Sequence, residues 1–218
     1  MLAGHYAPAL VLKRHTARVP LWALFVAVQA VDFLFFFLVF AGAEEAALHP
    51  GELPKFSVAL GIWSHSLGMT LIYCAVVAGV GALAGYRREG GILALAVGAH
   101  WVLDLLVHVP DLPLWMDQGS AVGLGLWRLP VVPWLLECAL LVAAGAYLVR
   151  GAVPVRRKRI WSLVAGLCVL QTLSEYVIPL PPTQAQLGIS ALAVYVGASA
   201  AAWWAGLAIT RAEPPGAA

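Results

Sequence analysis

Three ionisable residues stand at helical spacing inside an otherwise apolar stretch, AHWVLDLLVH, at residues 99–108. His100, Asp104 and His108 follow one another at intervals of four residues. In a helix this spacing places them on one face, with the Cβ atoms of neighbours about 6 Å apart. A pair such as His100 and Asp104 can therefore reach a common ion.

The chain that carries this stretch has the composition of a membrane protein. Of its 218 residues, 62% are hydrophobic and only 11% are charged, and the mean hydropathy is +0.87. Soluble domains carry about 25% charged residues. The net charge of +2 gives no sign of a nucleic-acid partner. Cys74, Cys138 and Cys168 show no paired spacing, and we interpret them as small buried hydrophobic residues.

Six apolar windows are long enough to cross a bilayer as helices, which takes about 20 residues. They are residues 20–41, 57–84, 91–109, 130–149, 160–180 and 186–210. The pattern shows no alternation of short strands. We therefore predict an all-α helical bundle, a single integral membrane domain over residues 1–218 with about six transmembrane helices. The apolar stretch before Lys13 would add a short N-terminal helix, either re-entrant or interfacial.

Basic residues alternate from loop to loop along the chain. They precede the first window, separate the second from the third and the fourth from the fifth, and follow the sixth. They are Lys13, Arg14, Arg18, Arg87, Arg88, Arg150, Arg156, Arg157, Lys158, Arg159 and Arg211. Because lysine and arginine favour cytoplasmic loops, we predict that both termini lie in the cytoplasm.

Counting the helical rise along the windows places ionisable residues from five of them in one layer, about 14–22 Å from the cytoplasmic side. They are Asp32, His65, His100, Asp104, Glu137 and Glu175. A shared depth indicates a single internal site, and ionisable residues within a membrane are functional candidates. His5 would approach this layer if the N-terminal helix is re-entrant. On a helix that lies on the membrane surface it would have no role.

Two imidazoles and two carboxylates of this layer suit a divalent cation. The predicted ligands are Asp32, His65, His100 and Asp104. Zinc is the favoured metal, and Mn²⁺ and Fe²⁺ are the alternatives. A bound cation would lower the pKa of a coordinated water towards 7, which provides a hydroxide nucleophile for an ester or phosphoester. The candidates for a general base or for a partner of the ligands are Glu137, Glu175 and His108, and the two glutamates are also candidate ligands of another metal.

Other interpretations of the same residues stay open. A proton or ion pathway uses these residue types, and buried polar groups also pair for structural reasons. Three function classes follow: a metal-dependent hydrolase acting on a lipid or lipid-linked ester, a small proton- or ion-coupled transporter, and a non-catalytic membrane scaffold. The segments PDLPLW (110–115) and GLGLW (123–127) belong to a long outer loop that we expect to cap a site opening outward.

Four segments resemble bacterial inner-membrane proteins identified as metal-dependent hydrolases: GHYAPAL, QAVDFLFFF, WSHSLGMTL and AHWVLDLLVHVPDLPLW. The resemblance covers about residues 1–115. It implies an inner-membrane location and a metal site in this half. The three further spans over residues 130–210 rest on the apolar windows alone. Ala99 stands where the family's S-H-x-x-L-D element has serine, and VDF lacks the proline and second aspartate of the family's P-D-x-D element.

The order of the candidate ligands is also similar to that of zinc-dependent phospholipase C, which runs His, Asp, His and His-x3-Asp. The matching residues here are His5, Asp32, His65, His100 and Asp104. This similarity implies one zinc site, with Asp104 bridging to a second metal near His5. The His-x3-Glu pair of the phospholipase has no counterpart, since neither Glu137 nor Glu175 has a histidine four residues before it.

Overall fold

The structure is a computed structural model that describes residues 2–117 and 119–210, without the side chains of residues 208–210. In these residues the chain is mostly helical, as predicted. The α-helices are α1 (Tyr6–Lys13), α2 (Leu21–Val28), α3 (Ala30–Phe40), α4 (Leu67–Leu83), α5 (Arg87–Val107), α6 (Val132–Leu148), α7 (Pro154–Tyr176) and α8 (Gln184–Thr210). Two short antiparallel sheets join β1 (Glu45–Leu48) to β2 (Phe56–Leu60) and β3 (Leu112–Pro113) to β4 (Ala121–Val122). Arg211, the predicted charge after the sixth window, lies outside the described residues.

Among the described helices, α5 and α8 are long and apolar enough to cross a membrane. Helices α2 and α3 meet at an angle of 51° and would form a third candidate if they act as one bent span. Helices α4 and α6 are apolar but have only 17 residues each. Length and composition therefore support two or three spans, and the six-span arrangement stays a prediction.

The second apolar window does not begin as a helix. Its first residues form β2, which pairs with β1. Helix α4 begins only after Ser66, whose hydroxyl accepts a hydrogen bond from the Met69 backbone and caps the first turn. The expectation of a helix throughout residues 57–84 is thus wrong, because a strand pair and an N-cap residue override the apolar run.

Helix α1 is buried among other helices. It packs against α2, α5 and α6, and Tyr6, Ala9 and Leu10 have no exposed surface. The same apolar core extends into the second half of the chain, where it includes Leu141 and Leu163. The N-terminal helix therefore takes the buried position, in which His5 points into the bundle and not along its surface.

The loops that carry most of the basic residues contact one another. The Arg14 guanidinium, after α1, donates to the carbonyls of Tyr147 and Arg150 at the end of α6. The Arg88 guanidinium at the start of α5 donates to the carbonyl of His15. These contacts gather the basic loops at one end of the helices.

The loops at the other ends of these helices also meet. The Lys55 ammonium, just before β2, donates to the carbonyls of Ser174 and Ile178 at the end of α7. The Val58 backbone in β2 donates to the Asp111 carboxylate in the loop after α5. The connections thus sort into a basic group and a group with few cations.

Candidate metal centre

Five of the predicted residues meet in one buried group, which we name the His/Asp cluster: His5, Asp32, His65, His100 and Asp104. His5 immediately precedes α1, Asp32 lies in the first turn of α3, and His65 lies in the turn before α4. His100 and Asp104 are one turn apart on α5. All five residues are at most 8% exposed.

Asp104 occupies the middle of the cluster. Its Oδ2 atom lies 2.9 Å from His100 Nε2 and 4.0 Å from His65 Nε2. Its Oδ1 atom lies 3.1 Å from His5 Nε2. The second carboxylate, Asp32, places Oδ1 3.3 Å from His65 Nε2 and 3.5 Å from His100 Nε2.

These separations match those of a metal-binding set. Ligand atoms of His5, His100 and Asp104, and likewise of Asp32, His65 and His100, all lie within 4.8 Å of one another. Donors held about 2.0–2.1 Å from a tetrahedral zinc ion lie about 3.4 Å apart. The carboxylate–imidazole distances of 2.9–4.0 Å in the predicted four-ligand set bracket that value. The buried His and Asp groups could therefore hold a metal ion.

The orientation of the His100 ring is fixed by a hydrogen bond at Nδ1, on the side away from the cluster. Its Nδ1 atom lies 2.7 Å from the carbonyl oxygen of Val28, at the break between α2 and α3. A carbonyl only accepts, so Nδ1 carries the proton and donates it. A neutral His100 therefore directs the lone pair of Nε2 into the cluster, and Nε2 has no hydrogen-bond partner among the described residues.

His65 is held in the same way by a chain of two side chains. The Ser64 hydroxyl donates to Glu44 Oε2, so its oxygen accepts from His65 Nδ1 at 2.8 Å. Glu44 is fixed in turn by the backbone N–H groups of Trp63 and Ser64. This carboxylate–hydroxyl–imidazole chain again leaves Nε2 of His65 facing the cluster. Histidines that bind metals typically donate their other N–H to such a partner.

Asp32 has one oxygen engaged and one directed at the imidazoles. Its Oδ2 atom accepts from the Tyr195 hydroxyl of α8 at 2.9 Å and from the Gln29 amide at 3.3 Å. Its Oδ1 atom faces His65 and His100. The second half of the chain thus supplies a residue that orients a candidate ligand from the first half.

As a result, acceptor atoms face acceptor atoms across the cluster. With Nδ1 protonated, neutral His100 and His65 present lone pairs towards the carboxylates of Asp104 and Asp32. Two buried lone pairs 2.9 Å apart repel unless a positive charge lies between them. That charge can be a metal ion or a proton, and the two possibilities correspond to the metal-site and proton-pathway predictions.

His108 lies at the edge of the cluster. Its Nδ1 atom is 2.9 Å from Asp111 Oδ1, and its Nε2 atom is 3.4 Å from Asp104 Oδ1. The ring of Trp127 covers it, with centroids 4.1 Å apart. The loop that carries Trp127 approaches closely because Gly123 has no side chain: a Cβ atom there would collide with the carbonyls of His108 and Val109. Part of the predicted outer loop therefore does lie over the site.

Glu137 has a different environment from the cluster. It is 1% exposed, and its Oε2 atom accepts from the backbone N–H groups of Leu2 and Gly4, at 3.0 and 2.9 Å. Gln171 accepts from the backbone of Ala3. These bonds fix the segment that leads into His5, so the observed contacts of Glu137 position a cluster residue through the backbone.

Glu175 lies on the wall of a cavity that adjoins the cluster. The cavity has a volume of about 210 Å³, and its lining includes Asp32, His65, Asp104, His108 and Glu137. Glu175 makes no hydrogen bond or ion pair with the described part of the chain. Counting the helical rise gave its depth but not the face of α7 on which it lies.

Sequence reasoning missed the residues that orient the histidines and Asp32. Ser64 is adjacent to His65, and Asp111 follows His108 by three residues, so both carried a local signal. Glu44 and Tyr195 lie 20 and 163 residues from their partners along the chain. Only the presence of a hydroxyl in the apolar α8 could have drawn attention to Tyr195.

Comparison of the chain with family models, with curated proteins and with solved structures returned no match. The resemblance to metal-dependent hydrolases of the bacterial inner membrane therefore stays a prediction, and the function rests on the geometry of the site.

Proposed function

We propose that this chain is a membrane-embedded, metal-dependent hydrolase of a lipid or lipid-linked ester or phosphoester. The observation that carries the proposal is the inward orientation of the His100 and His65 lone pairs towards two carboxylates. Each imidazole is held in that tautomer by an acceptor behind it, which is the arrangement expected of metal ligands.

The proposed ligands are Asp32, His65, His100 and Asp104, with His5 beside them. The mixed nitrogen and oxygen set favours zinc, with Mn²⁺ or Fe²⁺ as alternatives. A divalent cation in this set would neutralise both buried carboxylates, activate a water for attack and polarise the oxygen of an ester or phosphoester.

His108 is the residue best placed to move protons. Asp111 accepts from its Nδ1, so a neutral His108 has a lone pair on Nε2, and this residue lines the cavity. The water oxygen bonds to the carbonyl carbon or phosphorus, and the bond to the leaving oxygen breaks. His108 takes the proton from the water and returns it to the leaving oxygen. Glu175, on the cavity wall, is the alternative base.

We place the chain in a membrane as six spans, with α2 and α3 acting as one bent span and α4, α5, α6, α7 and α8 as the others. The mutual contacts of the basic loops, such as Arg14 with the end of α6, support a common side for these loops. By the preference of basic loops for the cytoplasm, both termini lie there. The family resemblance points to the bacterial inner membrane.

The test is hydrolysis by purified protein that has been stripped of metal and then reloaded. Fluorogenic lipid esters and phosphoesters are the probes, with zinc, manganese and iron supplied separately. We expect turnover only in a reloaded sample, with a loss of more than about 100-fold in Asp104→Asn. Turnover that survives both chelation and Asp104→Asn would contradict the proposal.

A second candidate function is a proton-coupled transporter. It is favoured by the contact between His100 Nε2 and Asp104 Oδ2, which a shared proton satisfies as well as a metal does. The cluster continues from Asp104 through His108 to Asp111, a sequence of groups that could relay protons. Proton uptake by vesicles containing metal-free protein, lost in Asp104→Asn, would support this function over hydrolysis.

A further inference from the structure

Helices α7 and α8 form two facing walls of the cavity beside the His/Asp cluster. Each contributes one helical stripe, with residues separated by four positions. The stripes consist of Leu170 and Ser174 on α7, continued by Ile178 just beyond the end of that helix, and of Leu187, Ala191 and Tyr195 on α8. We name the space between these stripes the slot. Most of the surface of the cavity is apolar, although α7 also contributes Gln171 and Glu175 to its lining.

One end of this slot is polar and the other opens at the protein surface. Asp32 and His65 of the cluster form the polar end. Residues that line the slot and are also exposed mark its mouth, and these are Ile178, 50% exposed, Pro179 and Ser190. A ligand can therefore reach the cluster by passing between α7 and α8.

The surroundings of the mouth are apolar. The outer faces of the two helices carry large exposed hydrophobic side chains: Val169 and Leu173 on α7, and Ile189 and Val196 on α8. In water such a surface would be unfavourable, whereas in a membrane it faces the hydrocarbon. In the proposed six-span arrangement, the mouth opens sideways to lipid.

The volume of the slot limits the shape of its occupant. Pockets that enclose compact drug-sized ligands measure roughly 300–1,000 Å³. The cavity here measures about 210 Å³, and α7 and α8 supply two of its walls. A single hydrocarbon chain matches this space better than a ring system or a pair of chains.

We propose that the slot between α7 and α8 binds one long hydrocarbon chain of a lipid, with the ester or phosphoester at the His/Asp cluster. The part of the chain next to the ester fills the cavity, and the remainder lies against the apolar outer faces of α7 and α8. The role of the cluster rests on the proposed hydrolase function, while binding of the chain does not require turnover.

Photolabelling tests this route. The probe is a lysophospholipid whose single acyl chain carries a diazirine close to the ester, and the protein is the full chain with Asp104→Asn, which prevents turnover. Ala191 lines the slot, whereas Ala193 is exposed on α8 and does not contribute to its lining. Ala191→Phe in this background blocks the slot, and Ala193→Phe is the matched control.

We expect crosslinks in residues 170–178 and 187–195, a loss of labelling of about tenfold or more in Ala191→Phe, and no change in Ala193→Phe. The crosslink map of the parent protein is an independent readout if Ala191→Phe does not fold. Unlabelled lysophospholipid and isoprenyl phosphate as competitors distinguish acyl from isoprenoid chains. Crosslinks only on the outer faces, equal labelling in both variants, or competition by neither lipid would overturn the proposal.

This experiment separates the two proposals. Failure of labelling together with metal-dependent turnover of the parent chain would overturn only the route between α7 and α8. Normal labelling of the slot without any metal-dependent turnover would overturn only the hydrolase.

Discussion

Two buried polar regions of this protein differ in how their hydrogen bonds are used. The Glu137 carboxylate has backbone N–H donors directed at one of its oxygens, so that oxygen has its hydrogen bonds formed within the protein. In the His/Asp cluster, the acceptor atoms of His100 and Asp104 face each other instead. Burial of an ionisable residue therefore does not by itself indicate a site. The direction of the imidazole lone pairs, once the bonds behind the rings are formed, is more informative.

The largest difference between the two regions should appear in metal affinity. Asp104→Asn removes the carboxylate that contacts several imidazoles. We expect the metal affinity to fall by more than about 100-fold, because loss of a residue that only hydrogen-bonds to a ligand typically costs 10–100-fold. Glu137→Gln changes a carboxylate of equal burial and should leave the affinity within about threefold. Competition with a chromophoric chelator measures both. Equal losses in the two variants would remove the distinction between the regions.

A smaller effect is expected for the residue that orients Asp32. Tyr195→Phe removes the hydroxyl that donates to Asp32 Oδ2, and we expect a 10–100-fold loss of metal affinity. Tyr6→Phe is the matched control, because the buried Tyr6 hydroxyl has no hydrogen-bond partner among the described residues. The same chelator competition applies. If Tyr6→Phe and Tyr195→Phe behave alike, Tyr195 has no orienting role.

The hydrogen bond from His65 to Ser64 should contribute less to metal affinity than the bond from Tyr195 to Asp32. Ser64→Ala breaks the chain from Glu44 to His65 Nδ1, and we expect about a tenfold loss of affinity, since water can replace the hydroxyl. Ser66→Ala removes an N-cap bond of α4, which costs about 1 kcal/mol of stability without changing the ligand set. Loss of affinity in Ser66→Ala and not in Ser64→Ala would contradict this account of His65.

The smallest effect concerns the stability of the Glu137 region. Glu137→Gln keeps an oxygen acceptor for Leu2 and Gly4 but removes the charge, which weakens both bonds. Because charge-assisted bonds are about twice as strong as neutral ones, while the variant also removes a charge that burial disfavours, we expect a loss of about 1 kcal/mol or less. Unfolding of the metal-free protein in detergent measures it. Glu175→Gln, at a carboxylate without such bonds, should change stability by less than about 0.5 kcal/mol.

The sequence was sufficient to select the members of the cluster but not their arrangement. His100 and Asp104 were predictable because a four-residue spacing fixes their common face on one helix. Asp32 was selected by residue type and by its depth along an apolar window. That window breaks into α2 and α3, and the Val28 carbonyl at the break accepts from His100. A side chain that bonds to a carbonyl of the helix ladder is a known cause of such a kink.

His65 was correctly predicted as a member of the cluster, although the secondary structure assumed for it was wrong. The depth count assumed a helix through His65, but the residue lies in a turn between β2 and α4. It reaches the cluster because the Trp101 indole donates to its carbonyl and Ser64 fixes its ring. Such contacts depend on the packing of separate segments, which apolar periodicity does not encode.

Depth along a helix was also insufficient for the two glutamates. Glu137 and Glu175 were predicted in the same layer and both line the cavity, yet of the two Glu137 alone bonds to the backbone of Leu2 and Gly4. Depth along a helix does not give the direction in which a side chain points around it. That direction depends on how the helix packs against segments elsewhere in the chain. Whether either residue acts in catalysis stays a prediction.

The most direct test of the central claim is elemental analysis of the purified chain beside its His100→Ala and Glu137→Gln variants. If the His/Asp cluster binds a metal, the parent and Glu137→Gln should carry about one divalent ion per chain. His100→Ala should carry less than about 0.2, because both ligand groups share this imidazole. A parent chain with less than about 0.2 ions, or a metal content unchanged by His100→Ala, would contradict the claim.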